Sequence, residues 1–195
     1  MKKTTKINSM IRKLILVLLV SVATFTVAHA QKMAVKTNAL YWATTTPNLA
    51  FEFGLGPKTT LDIAGGYNWF TFSGNKKLKH YLVQPELRFW FCERFAGTFF
   101  GIHLHGGEFN VGGIGPFTTI KNNRYEGYFY GGGIAIGHSW ILSNRFSLEA
   151  ELGAGYAYIN YDRFGCETCA PKSGSGTKHY FGPTRLNLSL VYNLW

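Results

Sequence analysis

The feature that most constrains this chain is an alternation of apolar and polar side chains with a period of two. From Leu186 to Leu194 every second residue is apolar, whereas the residues between them are mostly polar. Successive side chains of an extended strand point to opposite faces, so this pattern predicts strands with one apolar face. No segment after residue 30 has the periodicity of an amphipathic helix. We predict eight strands, at residues 33–42, 48–55, 59–72, 80–91, 97–107, 124–140, 146–161 and 183–195.

The composition of the polar face indicates which face is turned inward. It consists mostly of Gly, Ala, Ser and Asn with isolated charged residues, whereas a face in water would be rich in Lys, Glu and Thr. The apolar face is bulky and carries aromatic residues towards strand ends, as in the girdles of membrane barrels. We therefore predict an all-β fold, an eight-stranded antiparallel up-and-down transmembrane β-barrel. A soluble secreted barrel that binds a ligand inside is the alternative.

The first thirty residues differ from the rest of the chain. Five basic residues and no acid precede an apolar run at 14–27, and Ala28-His29-Ala30 follows. This is the pattern of a cleaved secretory signal peptide. We expect two segments, a signal peptide at 1–30 and a barrel domain at 31–195, and location in the outer membrane of a Gram-negative bacterium. Cleavage lowers the formal net charge from +10 to +5, which argues against nucleic acid as a partner.

Two long connections are predicted to form the outer contact surface, at residues 106–123 and 162–182. The second contains Cys166 and Cys169, which we interpret as a local disulfide, with a metal-thiolate pair or a redox dithiol as alternatives. Cys92 falls on a short turn that the alternation assigns to the opposite end. Basic residues near the outer rim suit the phosphates of lipopolysaccharide, although an ordinary solvated rim explains them equally well.

The predicted interior holds nine ionisable side chains. We interpret them as a polar network that rigidifies the barrel, because buried charges are costly unless paired. His103 and His105 share one face of a strand, so a metal or substrate site is the alternative interpretation. The nine residues are Glu52, Asp62, Glu86, Arg88, His103, His105, Glu149, Glu151 and Arg185.

No catalytic residue, metal or cofactor is predicted. His138 and Ser139 are adjacent, and neighbouring residues of a strand point to opposite faces, so they do not form a nucleophile–base pair directly. A lipid A-modifying outer-membrane enzyme nevertheless stands as an alternative function.

Long stretches of the chain resemble a known family. The segments "LDIAGGYNW", "KHYLVQPELRFWFCERFAGTFFGIHLHGGEFNVGGI" and "RYEGYFYGGGIAIGHSWIL" are similar to DUF3575, small outer-membrane proteins of Bacteroides-type bacteria. The resemblance implies an outer-membrane barrel, sometimes encoded beside fimbria-like adhesins, and it implies no catalytic residues. We therefore expect a structural or binding role at the cell surface. Expected partners are outer-membrane lipid and lipopolysaccharide, a fimbrial or other surface protein, and the barrel-insertion machinery, which recognises a terminal aromatic such as Trp195.

Overall fold

The computed structural model describes residues 32–72, 76–113, 123–165 and 171–194. Nearly all of these residues form antiparallel strands, and one five-residue helix interrupts them. The elements are β1 (Met33–Asn38), α1 (Ala39–Ala43), β2 (Asn48–Gly54), β3 (Thr59–Asn68), β4 (Thr71–Phe72), β5 (Lys76–Trp90), β6 (Gly97–Gly112), β7 (Asn123–Ile141), β8 (Phe146–Gly165) and β9 (Lys172–Asn193).

Eight strands form a closed ring, because each pairs with its neighbours in sequence and the last pairs with the first. Strand β3 pairs directly with β5, and the two-residue β4 is a short appendage on β5. Strand β9 closes the ring by pairing with β1 over Ser189 to Asn193. The predicted eight antiparallel strands are therefore confirmed. Across the described ranges, the structure contains no helix that is long and apolar enough to cross a membrane.

The ring has two distinct ends. The short connections 55–58, 91–96 and 142–145 share one end, called here the turn end, and α1 lies at the other, called the loop end. The wall has unequal height: β1 to β3 have 6 to 10 residues, whereas β6 to β9 have 16 to 22. In the described chain, residues 172–188 of β9 have a strand partner only in β8. One side of the ring is therefore tall and the opposite side low.

The predicted loop boundaries were wrong. Much of 106–123 and 162–182 is strand, because β6 continues to Gly112, β8 continues to Gly165 and β9 begins at Lys172. Cross-strand hydrogen bonds hold these Gly- and Ser-rich residues extended although their composition is typical of turns. Residues 1–31, 73–75, 114–122, 166–170 and Trp195 lie outside the described residues, and with them the predicted signal peptide and the predicted Cys166–Cys169 disulfide.

Two predicted strands were also too long. The strand at 33–42 ends at Asn38, whose side chain accepts a hydrogen bond from the Leu40 amide at 3.0 Å and so caps α1. The strand at 59–72 breaks at Asn68, whose side chain accepts a hydrogen bond from the Phe70 amide at 3.0 Å. Asparagine makes such local bonds readily, and they compete with the strand ladder.

Burial in this ring is the reverse of that in a water-soluble domain. Large apolar side chains such as Leu104, Ile134 and Leu152 are 56 to 63% exposed on the outer face. Ionisable side chains such as Arg88 and Glu52 are at most 1% exposed inside. The few buried aromatic side chains, Trp90, Phe95 and Phe99, close the interior at the turn end.

Candidate functional site inside the ring

The nine ionisable residues singled out from the sequence all lie inside the ring, and each is at most 6% exposed. They occupy alternate positions on β2, β3, β5, β6, β8 and β9, so strand pairing brings residues far apart in sequence together. Seven of them form one charged cluster, whereas the two histidines lie at its edge towards the loop end. The cluster members are Glu52, Asp62, Glu86, Arg88, Glu149, Glu151 and Arg185, joined by Lys36.

Arg88 is the centre of this cluster. Its Nε donates to Glu86 at 2.6 Å, and its Nη2 donates to Glu151 at 2.8 Å. Its Nη1 lies 3.1 Å from Glu52 and 3.0 Å from Glu149. One guanidinium on β5 therefore ties β2 and β8 together across the interior. Such multiple charge-assisted bonds are what a buried ion needs to offset its desolvation.

The Arg88 guanidinium also contacts the layer below it. It lies 4.3 Å from the centre of the Phe99 ring, and the Phe99 and Trp90 rings are 4.7 Å apart. The Trp90 indole donates to the Thr60 hydroxyl at 2.9 Å. The Thr60 hydroxyl in turn donates to Glu52. The aromatic layer and the charged cluster are thus one continuous packed unit.

Lys36 and Arg185 complete the cluster from the side where the ring closes. Lys36 lies 2.7 Å from Glu52 and 2.8 Å from Asp62, and Arg185 lies 2.7 Å from both Asp62 and Glu151. Sequence reasoning missed Lys36. The signal was present, because Lys36 shares a face with the inward-pointing Ala34 and Asn38 of β1.

The cluster contains five carboxylates and three permanent cations, so its formal charge is −2 with neutral histidines. Each carboxylate nevertheless lies within 3.1 Å of at least one cationic nitrogen. Ion pairs therefore reach every carboxylate, whereas the Nη1 of Arg185 is buried without a hydrogen-bond partner among the described residues. A network of this kind holds the strands in one register.

His103 and His105 lie just beyond the charged cluster. The Nε2 of His103 is 2.9 Å from the Thr184 hydroxyl, and its Nδ1 is 3.7 Å from Glu86. The two imidazole rings are 5.7 Å apart. Over the ranges that the structure describes, no group of three or more His, Cys, Asp or Glu side chains has the arrangement of a metal site.

An apolar cup lies above the histidines, towards the loop end. Its volume is ≈ 360 Å³, and its floor carries Gln84, His105 and Thr184. The floor groups bond to one another and to the helix: Gln84 donates to the Thr184 carbonyl at 3.2 Å, and the Tyr41 hydroxyl donates to Gln84 at 3.3 Å. Burial raises the pKa of the Tyr41 phenol, which therefore stays a donor at neutral pH. The wall is mostly apolar and also carries His80 and Tyr180; its apolar members are Leu82, Phe109, Val111, Phe129, Ala157, Ile159 and Pro183.

Sequence reasoning did not find this cup. The apolar face had been assigned to the outside, yet Leu82 and Phe129 lie at alternate positions that face inward. The signal was a change along β5, where inward positions pass from charged at Arg88 and Glu86 to apolar at Leu82.

The strands that surround the charged interior lie within a range of the chain that a known family model matches. The family model described as a protein of unknown function, DUF3575, matches residues 14–194. The chain belongs to the DUF3575 family. The resemblance noted from the sequence is thereby confirmed. No curated protein matches the chain.

In this DUF3575 chain, the adjacent His138 and Ser139 do not meet. The Nδ1 of His138 lies 2.8 Å from the Thr98 hydroxyl, and Ser139 is buried, with its hydroxyl 3.4 Å from the Phe95 carbonyl. A serine nucleophile needs its base within hydrogen-bond reach. These two residues therefore do not form a catalytic pair in this structure. Cys92 is a free, exposed thiol on a connection at the turn end.

Proposed function

We propose that this DUF3575 protein spans an outer membrane as an eight-stranded up-and-down β-barrel and serves a structural or binding role at the cell surface. The observation that carries the proposal is the reversed burial. A charged cluster occupies the interior. Large apolar side chains lie on the outer face, where Leu104, Ile134 and Leu152 are more than half exposed and Ile63 on the low side is 40% exposed. Soluble monomers rarely expose a continuous apolar surface of many large side chains, whereas a membrane-spanning barrel needs such a surface, here called the belt, to face lipid.

Aromatic residues at both ends of the belt support this proposal. Trp42 and Trp69, at the loop end, are 53% and 50% exposed, and Trp140, at the turn end, is 46% exposed. Tryptophan is enriched where a membrane meets water, because one part of its ring system is apolar and the N–H is polar. The two groups mark the borders that a lipid belt would have.

The packed interior favours a structural or binding role over transport. Eight strands leave space for side chains or one small ligand, and not for a water-filled channel. The charged cluster and the Trp90–Phe99 layer occupy that space at the turn end. A general diffusion pore is therefore not proposed.

The surface contact would be made by the tall wall. The β6–β7 and β8–β9 hairpins rise above β1 and β2, and residues 172–182 of β9 keep a backbone edge with no strand partner opposite β8 in the described chain. Further along, the side chains of Asn38 and Gln84 bond to the edge at 184–188. An unpaired strand edge binds extended chains by adding them to the sheet. Anchoring of a fimbria-like fibre is the most specific version of this role, and it comes from the family resemblance.

The remaining parts of the proposal concern export and assembly. Residues 1–30 would be removed as a signal peptide near Ala30, and Trp195 would present a terminal aromatic to the insertion machinery. The rim would meet lipopolysaccharide, whose phosphates suit basic residues near the loop end such as the exposed Lys79 and the partly exposed Lys77.

Fractionation tests the membrane proposal. The protein is expected in the outer-membrane fraction, resistant to alkaline carbonate, with a folded form that migrates faster in gel electrophoresis until it is boiled. Recovery in the periplasm or medium without detergent would support the soluble secreted barrel instead.

A pull-down tests the surface role. Detergent-solubilised envelopes from the wild type are compared with a variant that lacks residues 163–174, which shortens the β8–β9 hairpin symmetrically between the paired Asp162 and Ser175. Loss of a specific surface protein in the variant, with the heat-modifiable band kept, supports the role. The same set of captured proteins in both samples would refute it.

A further inference from the structure

We infer that the cup inside the ring binds a single-chain amphiphile with an anionic headgroup, of the chemical class of a medium-chain fatty carboxylate. The cup lies between β5, β6, β7, β8 and β9, and its lining is mostly apolar in an interior that is otherwise charged. This inference depends on the interior of the ring and not on whether lipid surrounds it.

The size and lining of the cup fit one alkyl chain. Its volume of ≈ 360 Å³ lies at the lower end of the range of about 300–1,000 Å³ that ligand pockets span. Leu82, Val111, Phe129 and Ile159 line it, one from each of β5, β6, β7 and β8. The wall is mostly apolar, and its Tyr180 hydroxyl already donates to the Pro183 carbonyl. Dispersion contacts therefore outnumber polar ones, which favours an alkyl chain over a sugar or a nucleotide.

The floor favours the apolar end of the ligand. Gln84, Thr184 and Tyr41 already bond to one another, so they need no polar partner from a ligand. The Nδ1 of His105 is buried without a hydrogen-bond partner in the part of the chain that the structure describes, but it lies next to the charged cluster. Glu86 and Glu151 lie just beyond His103, in the cluster with a formal charge of −2. An anionic head at the floor would be repelled, and the chain is therefore expected to enter with its head towards the loop end.

The mouth of the cup is basic. Lys178 pairs with Ile159, which lines the cup, and paired residues project to the same face. Arg163 and Lys76 lie at inward-facing alternate positions further towards the loop end. In the described chain these three side chains have no carboxylate partner.

The acids of this region lie on the opposite face. Asp162 points outward and pairs with Lys172 at 2.7 Å, and Glu126 pairs with Arg124 at 3.3 Å. Inward positions of the described strands carry no Asp or Glu beyond the charged cluster. The separation of charge gives a positive mouth above an apolar wall, which is complementary to an anionic head on an alkyl chain.

The low side of the ring gives a ligand access. Strand β1 ends at Asn38, and residues 172–188 of β9 have no described strand partner on that side. Tyr41 of α1 and Tyr180 of β9 flank the cup there. An amphiphile can therefore enter without any strand pair opening.

Displacement of a fluorescent probe tests the inference. The full mature chain is placed in phosphatidylcholine nanodiscs and loaded with dansylaminoundecanoate, with empty nanodiscs as the blank. Decanoate is expected to displace the probe at a concentration about tenfold lower than decanol or decylamine, a ratio equivalent to about 1.4 kcal/mol. Absence of saturable probe binding, or equal displacement by decylamine, would overturn the inference.

Variants locate the binding site. Ala157→Trp fills the cup, whereas Ala154→Trp adds the same side chain to an exposed outward position of the same strand. Leu82→Trp is the second blocking variant, and the heat-modifiable band reports folding of each. Both blocking variants should lose at least tenfold in affinity and Ala154→Trp less than twofold. Equal binding by a folded blocking variant and Ala154→Trp would overturn the placement.

Charge reversal tests the mouth. Lys178→Glu is expected to weaken decanoate about tenfold and leave decanol unchanged, because only the charged head meets this residue. Lys172→Glu is the matched control, since Lys172 lies on the same strand and pairs outward with Asp162. Equal losses in both variants would refute the assigned orientation. Failure of these experiments with a normal outer-membrane location would leave the proposed membrane role intact.

Discussion

Replacing Arg88 with methionine is expected to destabilise the folded ring by about 4 kcal/mol. Methionine keeps most of the length of the side chain but leaves Glu52, Glu86, Glu149 and Glu151 without the guanidinium that lies 2.6 to 3.1 Å from them. Removing one partner from a buried ion pair costs about 3–5 kcal/mol, because the remaining charge keeps its desolvation penalty. The formal charge of the cluster also moves from −2 to −3.

Equilibrium unfolding in urea measures this effect. With a slope of about 2 kcal/mol per M, a loss of about 4 kcal/mol lowers the unfolding midpoint by about 2 M. Lys172→Met is the control, because Lys172 and Asp162 are both exposed and their pair should be worth no more than about 1 kcal/mol. A midpoint for Arg88→Met within 0.5 M (about 1 kcal/mol) of the wild type would refute the account of the cluster.

A double mutant separates charge from lost packing. Glu149→Gln removes one of the carboxylates that Arg88 contacts, at 3.0 Å. If unpaired charge is the cause, Glu149→Gln must be more favourable in the Arg88→Met background than in the wild type, by about 1–3 kcal/mol. Equal effects in the two backgrounds would indicate that packing against Phe99 accounts for the loss.

Three further substitutions probe other layers of the ring. Gly101→Ala places a Cβ 2.6 Å from the Glu86 carboxyl carbon and should lower the free energy of unfolding in urea by about 1–3 kcal/mol. Gly56→Ala is the control and should leave that free energy unchanged, because its Cβ meets nothing closer than 4.0 Å. Phe99→Ala empties the aromatic layer and should cost about 3–5 kcal/mol by the same measurement, and a loss below about 1 kcal/mol would refute that layer's role. Ile134→Lys adds a charge to the outer belt and should cost about 2–4 kcal/mol in lipid vesicles, whereas no loss there would contradict a lipid-facing position.

The number and direction of the strands were predictable from sequence because alternation records which face each residue occupies. Apolar and polar residues alternate from Tyr81 to Phe91. In the structure the apolar positions, such as Val83 and Phe89, are exposed, and the polar positions Glu86 and Arg88 are buried. Alternation is strongest where one face is apolar and the other polar. It fails in 172–182, where Gly, Ser and Lys occupy both faces and only pairing with β8 holds the chain extended.

The contacts of the charged cluster were not predictable in the same way. Alternation indicates that Glu52, Arg88 and Glu149 face inward, but their meeting depends on how the strands are staggered around the closed ring. Lys36 was missed because β1 is short and its alternation covers only six residues. The cup was missed for a related reason, since inward apolar residues such as Phe129 contradict a simple polar-inside pattern.

The accessibility of one outer position tests the central claim most directly. Leu152 and Asp162 lie on β8 at positions of the same outward face, and Leu152 is 57% exposed. The native cysteines are first replaced by serine, and a single cysteine is then introduced at one of the two positions and labelled with a nitroxide. Each labelled protein is folded into lipid vesicles. We predict that the label at Leu152 collides mainly with oxygen, which concentrates in lipid, and the label at Asp162 mainly with a water-soluble nickel complex. Equal nickel accessibility at the two positions would contradict a membrane-spanning ring.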